Sequence, residues 1–383
     1  MKILQVCSYL YPALSYGGPA RVVYDLATAL STRHQVTIYT SDVWDSKSRI
    51  ARNSQLQSSQ SLRIKYFKNL VNSWAFKFRF FTAFAMVSKF LQEQSNFKVV
   101  HLHDVFIGPQ LLIAYSCLFL HKPYLFTIHG VLNPVLLTRK SFLKKIMFFG
   151  AKPVLNRAKY LIAVSQEEKE ALINLGFAED KIKVIYNGVS LVKIRPSHKF
   201  TKYKNKKCLT FLYLGKIHPQ KGLPELILAL SKIKISYQLL IAGPDDGAQG
   251  NLEKIIRQLK LKHIFFLGLV DDVNKAELFA LANVFIYPSH AEAFSMAILE
   301  AMAAGLPVLI SKACNFPDVR KYQAGYVVEN KNLTFNLYQA LSEISKNKKA
   351  LYLKSKQAQN LVTKHYSLAI TIKKYLKIYE SAV

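Results

Sequence analysis

The chain has 383 residues and is 51% hydrophobic, enough for two domains each with its own core. No run of about 18 apolar residues occurs, so no membrane-spanning helix is expected. The 53 lysines and arginines outnumber the 23 acidic residues, giving a formal charge of +30. That surplus is unevenly spread. Residues 46–92 and 105–166 contain basic residues and no acidic one, and 193–207 is a further acid-free basic cluster that reads as a linker. Long positive surfaces in the first half suit anionic lipid, nucleic acid or anionic glycan, and a compositional bias of the source would produce the same surplus. Cys7, Cys117, Cys208 and Cys314 are scattered without paired spacing, which argues against a zinc motif and predicts a reducing compartment. The opening Met1-Lys-Ile-Leu-Gln-Val, soon followed by Pro12 and Gly17-Gly18, does not read as a signal peptide.

In chain order, residues 2–8 read as a first strand. A turn containing Gly17 and Gly18 follows, then helical periodicity over 21–30. Two glycines after a first strand let backbone approach a ligand closely, although the pair alone is a weak phosphate signal. Residues 34–40 and 63–67 read as strands. Between Asn72 and Leu91, Trp74, Phe76, Phe78, Phe80, Phe81, Phe84 and Met86 alternate with Lys77, Arg79 and Lys89. The missing acids favour a basic, aromatic helix able to lie on a membrane surface, although a core helix would look partly similar, and residues 141–149 repeat the character. The uncharged run 105–120, interrupted at Gly108-Pro109, reads as a buried helix.

Residues 98–104 form a strand with His101 and His103 on one face. Two ligands without a third nearby make a metal site a poor reading. His103 is expected at the carboxyl end of its strand, where open sheets bind ligands, and His129-Gly130 closes another strand the same way. The plain alternative is a satisfied structural histidine. Strands are predicted at 159–164 and 182–186, before Asn187-Gly188-Val189.

The second half restarts with a strand at 208–214. Gly215-Lys-Ile-His-Pro-Gln-Lys-Gly222 and a helix over 223–233 follow. Lys216 and Lys221, at a strand-to-helix turn, can grip phosphates. Strands are expected at 238–242, 264–267, 284–287 and 307–310, with a helix over 295–304 between the last two. Two carboxylates are out of place there. Glu292 sits in the turn, and Glu300 lies in a helix of apolar and small residues. A lone buried carboxylate is costly, so Glu300 is expected to have a partner. Eight helical positions would separate the pair by about 12 Å, too far for a glycosidase pair and suited to one elongated ligand. The helix start beside Glu292 can receive an anion. The bland reading is a solvated Glu292 and a satisfied polar core residue at 300.

Glu292, seven residues, Glu300, then Ala301-Met-Ala-Ala-Gly-Leu-Pro-Val308 resembles the signature of the group 1 transferases of glycosyltransferase family four. These are retaining enzymes of GT-B architecture. Ser295 stands where the family usually has glycine, keeping a small residue and its N–H. The resemblance implies an α/β fold of two doubly wound parallel-sheet Rossmann-like domains facing across a cleft. Residues 1–190 would be the acceptor-binding domain, joined by a C-terminal helix, 366–383, that crosses back. Residues 191–207 would be the linker, and 208–365 the nucleotide-sugar domain. It places Glu292 by the donor sugar and Glu300 on the ribose hydroxyls. Ala293, Phe294, Ser295, Gly17, Gly18, Lys216 and Lys221 belong to donor binding, and His103 and His129 join Glu292 as catalytic residues. Lys221 matches the family pattern; Lys216 replaces an arginine, keeping the charge and losing the bidentate fork.

The implied activity is retaining transfer from a UDP- or GDP-linked sugar to a lipid-linked or glycan acceptor in cell-surface polysaccharide or glycolipid assembly. It needs no metal or other cofactor and has no nucleic acid partner. The expected place is the inner face of an anionic membrane, as a peripheral cytoplasmic protein. Two other readings stay open. A hydrolase or epimerase on this fold would need no acceptor, and a non-catalytic basic membrane-surface binder would explain the charge without the Glu and Lys constellation.

Overall fold

A computed structural model describes residues 1–13, 16–51, 56, 58–132, 141–191, 198–205 and 207–383, with backbone alone for 141–145. The chain forms two compact units, Met1–Gly188 with Leu368–Val383, and Val189–Ser367. Part of the predicted linker, 192–197 and 206, and the side chains of 141–145 in the basic aromatic stretch 141–149 lie outside the described residues.

The first unit is built on seven strands: β1 (Lys2–Val6), β2 (Gln35–Ser41), β3 (Leu62–Phe67), β4 (Val99–His103), β5 (Tyr124–Thr127), β6 (Tyr160–Ala163) and β7 (Ile182–Val184). Their order is β3-β2-β1-β4-β5-β6-β7, every pair parallel. Strands covered on both faces need apolar side chains in both directions. In β1, Ile3 joins one core and Leu4 the other. The first core takes in the helix Pro19–Leu30 and the returning helix Leu368–Ala382. The second takes in Ala85–Glu93, Gly108–Phe119 and Ser141–Arg157. Helices on both faces make the sheet doubly wound, and its order reverses between β1 and β4.

Several predicted helices differ from what forms. The stretch from Asn72 to Leu91 is two helices, Asn72–Phe78 and Ala85–Glu93, broken after Phe78 where Arg79 turns to φ 59°. Phe81 and Met86 fall into the cores, while Trp74, Phe76, Phe78, Phe80 and Phe84 stay exposed. The helix Gly108–Phe119 is buried on one face only. Leu112 and Tyr115 are exposed, and Phe119 is 83% exposed. The C-terminal helix predicted over 366–383 runs from Leu368 to Ala382 instead. A π-helical turn, Val362–Tyr366, ends at an extended Ser367 before Leu368–Ala382 begins. Gly188 allows that return, because a Cβ there would come within 2.6 Å of Thr371 Oγ1 and 2.7 Å of Leu368 Cα. No helix among the described residues is long and apolar enough to cross a membrane.

The second unit has six parallel strands: β8 (Leu209–Leu214), β9 (Tyr237–Ala242), β10 (Ile264–Gly268), β11 (Val284–Tyr287), β12 (Val308–Ser311) and β13 (Gly325–Val328). Their order, β10-β9-β8-β11-β12-β13, reverses between β8 and β11. Two glycines draw the loops at this reversal together. Gly222 (φ 67°) packs so closely on the loop after β11 that a Cβ would overlap Pro288 O, and a Cβ at Gly243 (φ 143°) would overlap Gly215 O. Gly222→Ala combines a strained backbone with a backbone clash and is expected to cost about 2–4 kcal/mol of stability. Urea unfolding of the full chain reads this as a lowered midpoint, and an unchanged midpoint would mean the two loops part freely.

Candidate functional site

Open α/β sheets hold ligands outside the carboxyl ends of their strands, where the order reverses. In the second unit the loop after β8 brings Lys216 and Lys221 there, and the loop after β11 brings Glu292. The Lys221 ammonium is ion-paired to Glu292 Oε1 and lies 5.5 Å from the centroid of the Tyr287 ring. Burial works against that ammonium, but the Glu292 carboxylate outweighs it and holds the Lys221 pKa above the ordinary lysine value. Glu292 is fixed by its backbone. Its N–H donates to Ala313 O at 3.0 Å, and Asn315 Nδ2 donates to its carbonyl at 2.7 Å. Asn330 extends the brace, accepting from Ala313 N–H at 2.9 Å and donating to Ser289 O at 3.1 Å. The Lys216 carbonyl accepts from Tyr213 Oη at 2.8 Å.

The helix Met296–Ala303 starts just beyond, with Ser295 at its N-cap and no side chain capping its first amides. Phe294 is buried against Phe316, ring centroids 4.4 Å apart. The predicted 12 Å helical separation of the two carboxylates is not what forms. Only Met296 to Glu300 is helical, a rise of about 6 Å, and loop makes up the rest. Glu300 does have the expected partner. Lys275 Nζ lies 2.8 Å from Glu300 Oε2 and 3.1 Å from Asp272 Oδ1. Burial works against this ammonium too, and the two carboxylates together raise its pKa.

In the first unit the reversal lies between the loops after β1 and β4. Gly17 (φ 109°) needs a glycine's freedom; Gly18 is helical at φ −56° and does not. His103 does not emerge as predicted. It is 1% exposed, its Nδ1 3.1 Å from His129 Nε2 and its Nε2 2.8 Å from Gln5 Oε1. His129, at φ 55°, is the partly exposed member of the pair. Its loop is held by Glu168, whose buried carboxylate accepts from Gly130 N–H and, at 2.6 Å, from Val164 N–H. Burial raises Glu168 to about 7 despite those amides. His101 lies behind, with Nδ1 2.7 Å from Tyr379 Oη and Nε2 2.7 Å from Thr127 Oγ1. Burial lowers His101 and His129 to about 3, and His103 well below the ordinary value, so all three rings are neutral at pH 7.

Sequence reasoning overlooked Gln5, Glu168, Lys275, Asn315, Asn330 and Tyr379. Gln5 left a trace, as a polar residue in an otherwise apolar strand, and Tyr379 lies on the apolar face of a helical stretch; the others look like ordinary surface residues. Among the described residues, no three His, Cys, Asp or Glu side chains gather as a metal site would.

Comparison with known proteins agrees with this architecture. Residues 194–361 match the family Glycosyl transferases group 1, and residues 16–193 match Glycosyltransferase Family 4. An uncharacterized 41.2 kDa protein in the cps region of Klebsiella pneumoniae is 25% identical over 238 residues, 59% of this chain and 63% of that protein. The O-antigen chain mannosyltransferase RfbU of Salmonella typhimurium is 31% identical over 191 residues, 49% of this chain and 52% of RfbU. Both matches thus span less than two thirds of the relative's length. Anabaena HepE, solved with UDP and glucose, superposes with a TM-score of 0.78 over 100% of both chains at 19% identity, a likeness of fold. The two family matches lie end to end from residue 16 to residue 361, and the chain belongs to the group 1 glycosyltransferases.

Proposed function

We propose that the protein transfers a sugar from a nucleoside-diphosphate sugar to an acceptor hydroxyl, with retention of the anomeric configuration. The observation that carries this is the pair of cation–carboxylate contacts, Lys221 with Glu292 and Lys275 with Glu300, at the carboxyl edge of a parallel sheet beside its reversal. Lys216, Lys221 and the free amides of the 296–303 helix start receive the diphosphate. Glu300 accepts from the ribose hydroxyls, and the base lies near Gly268 at the end of β10. Glu292 stands by the sugar. The bond from the anomeric carbon to the phosphate oxygen breaks, and a bond to the acceptor oxygen forms on the same face. The acceptor hydroxyl lies beside His129, and its proton leaves with the departing diphosphate. Fixed cations meet the charge as it develops, the task a divalent ion would otherwise perform.

The acceptor belongs to the first unit. Its exposed aromatics around Lys77, together with the exposed Phe119 and Phe149 and the acid-free stretches, support a lipid-linked acceptor taken from an anionic cytoplasmic membrane face. The names of the O-antigen and cps-region relatives support cell-surface polysaccharide assembly. HepE's bound UDP supports a uridine-linked donor; a guanosine-linked one is the other arm of the test. That test is a thermal-shift screen of UDP- and GDP-sugars, followed by NMR of the product with and without lipid-linked acceptors. One donor should stabilise the protein and yield a product of retained configuration. Release of free or epimerised sugar without acceptor would make it a hydrolase or epimerase. Absence of any preference for nucleoside diphosphates would leave only a surface binder.

A further inference from the structure

The buried polar groups of the first unit are wired in one direction. Gln5, fully buried in β1, donates from Nε2 to Tyr379 Oη at 3.3 Å. Its other end, Oε1, lies 2.8 Å from His103 Nε2. An amide oxygen only accepts, so His103 carries its proton on Nε2 and has a lone pair on Nδ1. His129 Nε2, 3.1 Å from that lone pair, must then donate. A neutral His129 with its proton on Nε2 has a lone pair on Nδ1. Behind them, Tyr379 Oη accepts from Gln5 and lies 2.7 Å from His101 Nδ1, and His101 Nε2 lies 2.7 Å from Thr127 Oγ1. Thr127 Oγ1 is in turn 3.3 Å from Tyr375 Oη. Both tyrosines belong to the helix Leu368–Ala382, which joins this unit only after the second unit's sequence is complete.

We infer that Gln5 and Tyr379 are positioning residues that hold His129 in the tautomer whose Nδ1 accepts a hydrogen bond from the acceptor hydroxyl. This rests on the proposed function, in which His129 stands beside the acceptor hydroxyl. That hydroxyl donates a hydrogen bond to Nδ1, which orients it for attack, and the ring stays neutral and keeps its Nε2–H bond to His103 while the proton itself leaves with the departing diphosphate. No rearrangement behind the ring is needed. Neutrality of His103 and His129 is what lets one amide dictate both tautomers: a protonated ring donates from both nitrogens and transmits nothing. Histidines that served only as core filling would need complementary hydrogen bonds and no particular direction.

Long-range proton–nitrogen NMR of the full chain labelled with 15N-histidine reads the tautomers directly at neutral pH. In the wild type, His103 and His129 should both show the Nε2–H form. Tyr379→Phe takes away the oxygen that orients the Gln5 amide. It should shift His129 toward the Nδ1–H form and lower kcat about tenfold, leaving the Kd for the nucleoside diphosphate unchanged. Gln5→Met is the second variant and should act the same way. An Nδ1–H form of His129 in the wild type would overturn the inference. So would variants that lose thermal stability but keep tautomer and kcat, which is the behaviour of a purely structural network. A wild type with the expected tautomers and no transfer from any nucleotide sugar would instead overturn the proposed function, the tautomers having been read independently of activity.

Discussion

Lys221→Met is expected to lower kcat by about 10²- to 10³-fold, the usual cost of removing one group aimed at charge that develops in the transition state. Methionine keeps most of the aliphatic stem, so packing on Tyr287 changes little. The electrostatics change more. Glu292, tied by its backbone to Ala313 and Asn315, cannot swing away when its cation is lost. A largely buried carboxylate is then left facing the diphosphate, so KM for the donor should rise as well. Pairing the change with Glu292→Gln removes that repulsion. The double variant should recover part of the KM effect and none of the kcat effect, a non-additivity expected of groups in contact. Steady-state kinetics with donor varied at saturating acceptor separates the two. A single variant within threefold of wild type would remove Lys221 from the reaction.

Glu300→Gln is expected to weaken nucleoside diphosphate binding by roughly 30- to 150-fold, equivalent to about 2–3 kcal/mol for one or two charge-assisted hydrogen bonds to the ribose. Glutamine has the same shape, so the helix Met296–Ala303 should persist, and Lys275 keeps Asp272 at 3.1 Å. Calorimetric titration gives the affinity. A 2′,3′-dideoxynucleoside diphosphate supplies the matching deletion on the ligand: it should bind wild type about as weakly as the ordinary diphosphate binds the variant, and should bind both proteins alike. Full affinity in Glu300→Gln would place the ribose elsewhere.

Much of the second unit was legible because its signals are local. The run from Val284 to Ile310 carries strand, turn, helix and strand in order, and the cost of burying Glu300 alone announces a partner. That the partner is Lys275 was not legible, because it lies on another helix and looks like any surface lysine. β13 escaped notice since Gly325-Tyr-Val-Val328 is short and its glycine reads as a turn, whereas that glycine is there because a Cβ would strike Val308 O. The break at Arg79 had no glycine or proline to mark it. The run 105–120 reads as buried because it lacks charge, but a helix against one face of a sheet can bury only one side. His103 shows the same limit in reverse. Its place at a strand end was legible, but whether a side chain there faces a ligand or the interior depends on Gln5 and His129, far away in sequence.

The return of the last helix to the first unit has a consequence for synthesis. When residue 188 has been made, all seven strands of the first sheet exist, but Tyr375 and Tyr379, which fill one of its cores, do not. At roughly 5–20 residues per second, about 10–40 s pass before residue 368 is added. Until then the first sheet lacks the helix whose Tyr379 covers Gln5 and His101. The first half of the polypeptide is thus the last to be finished.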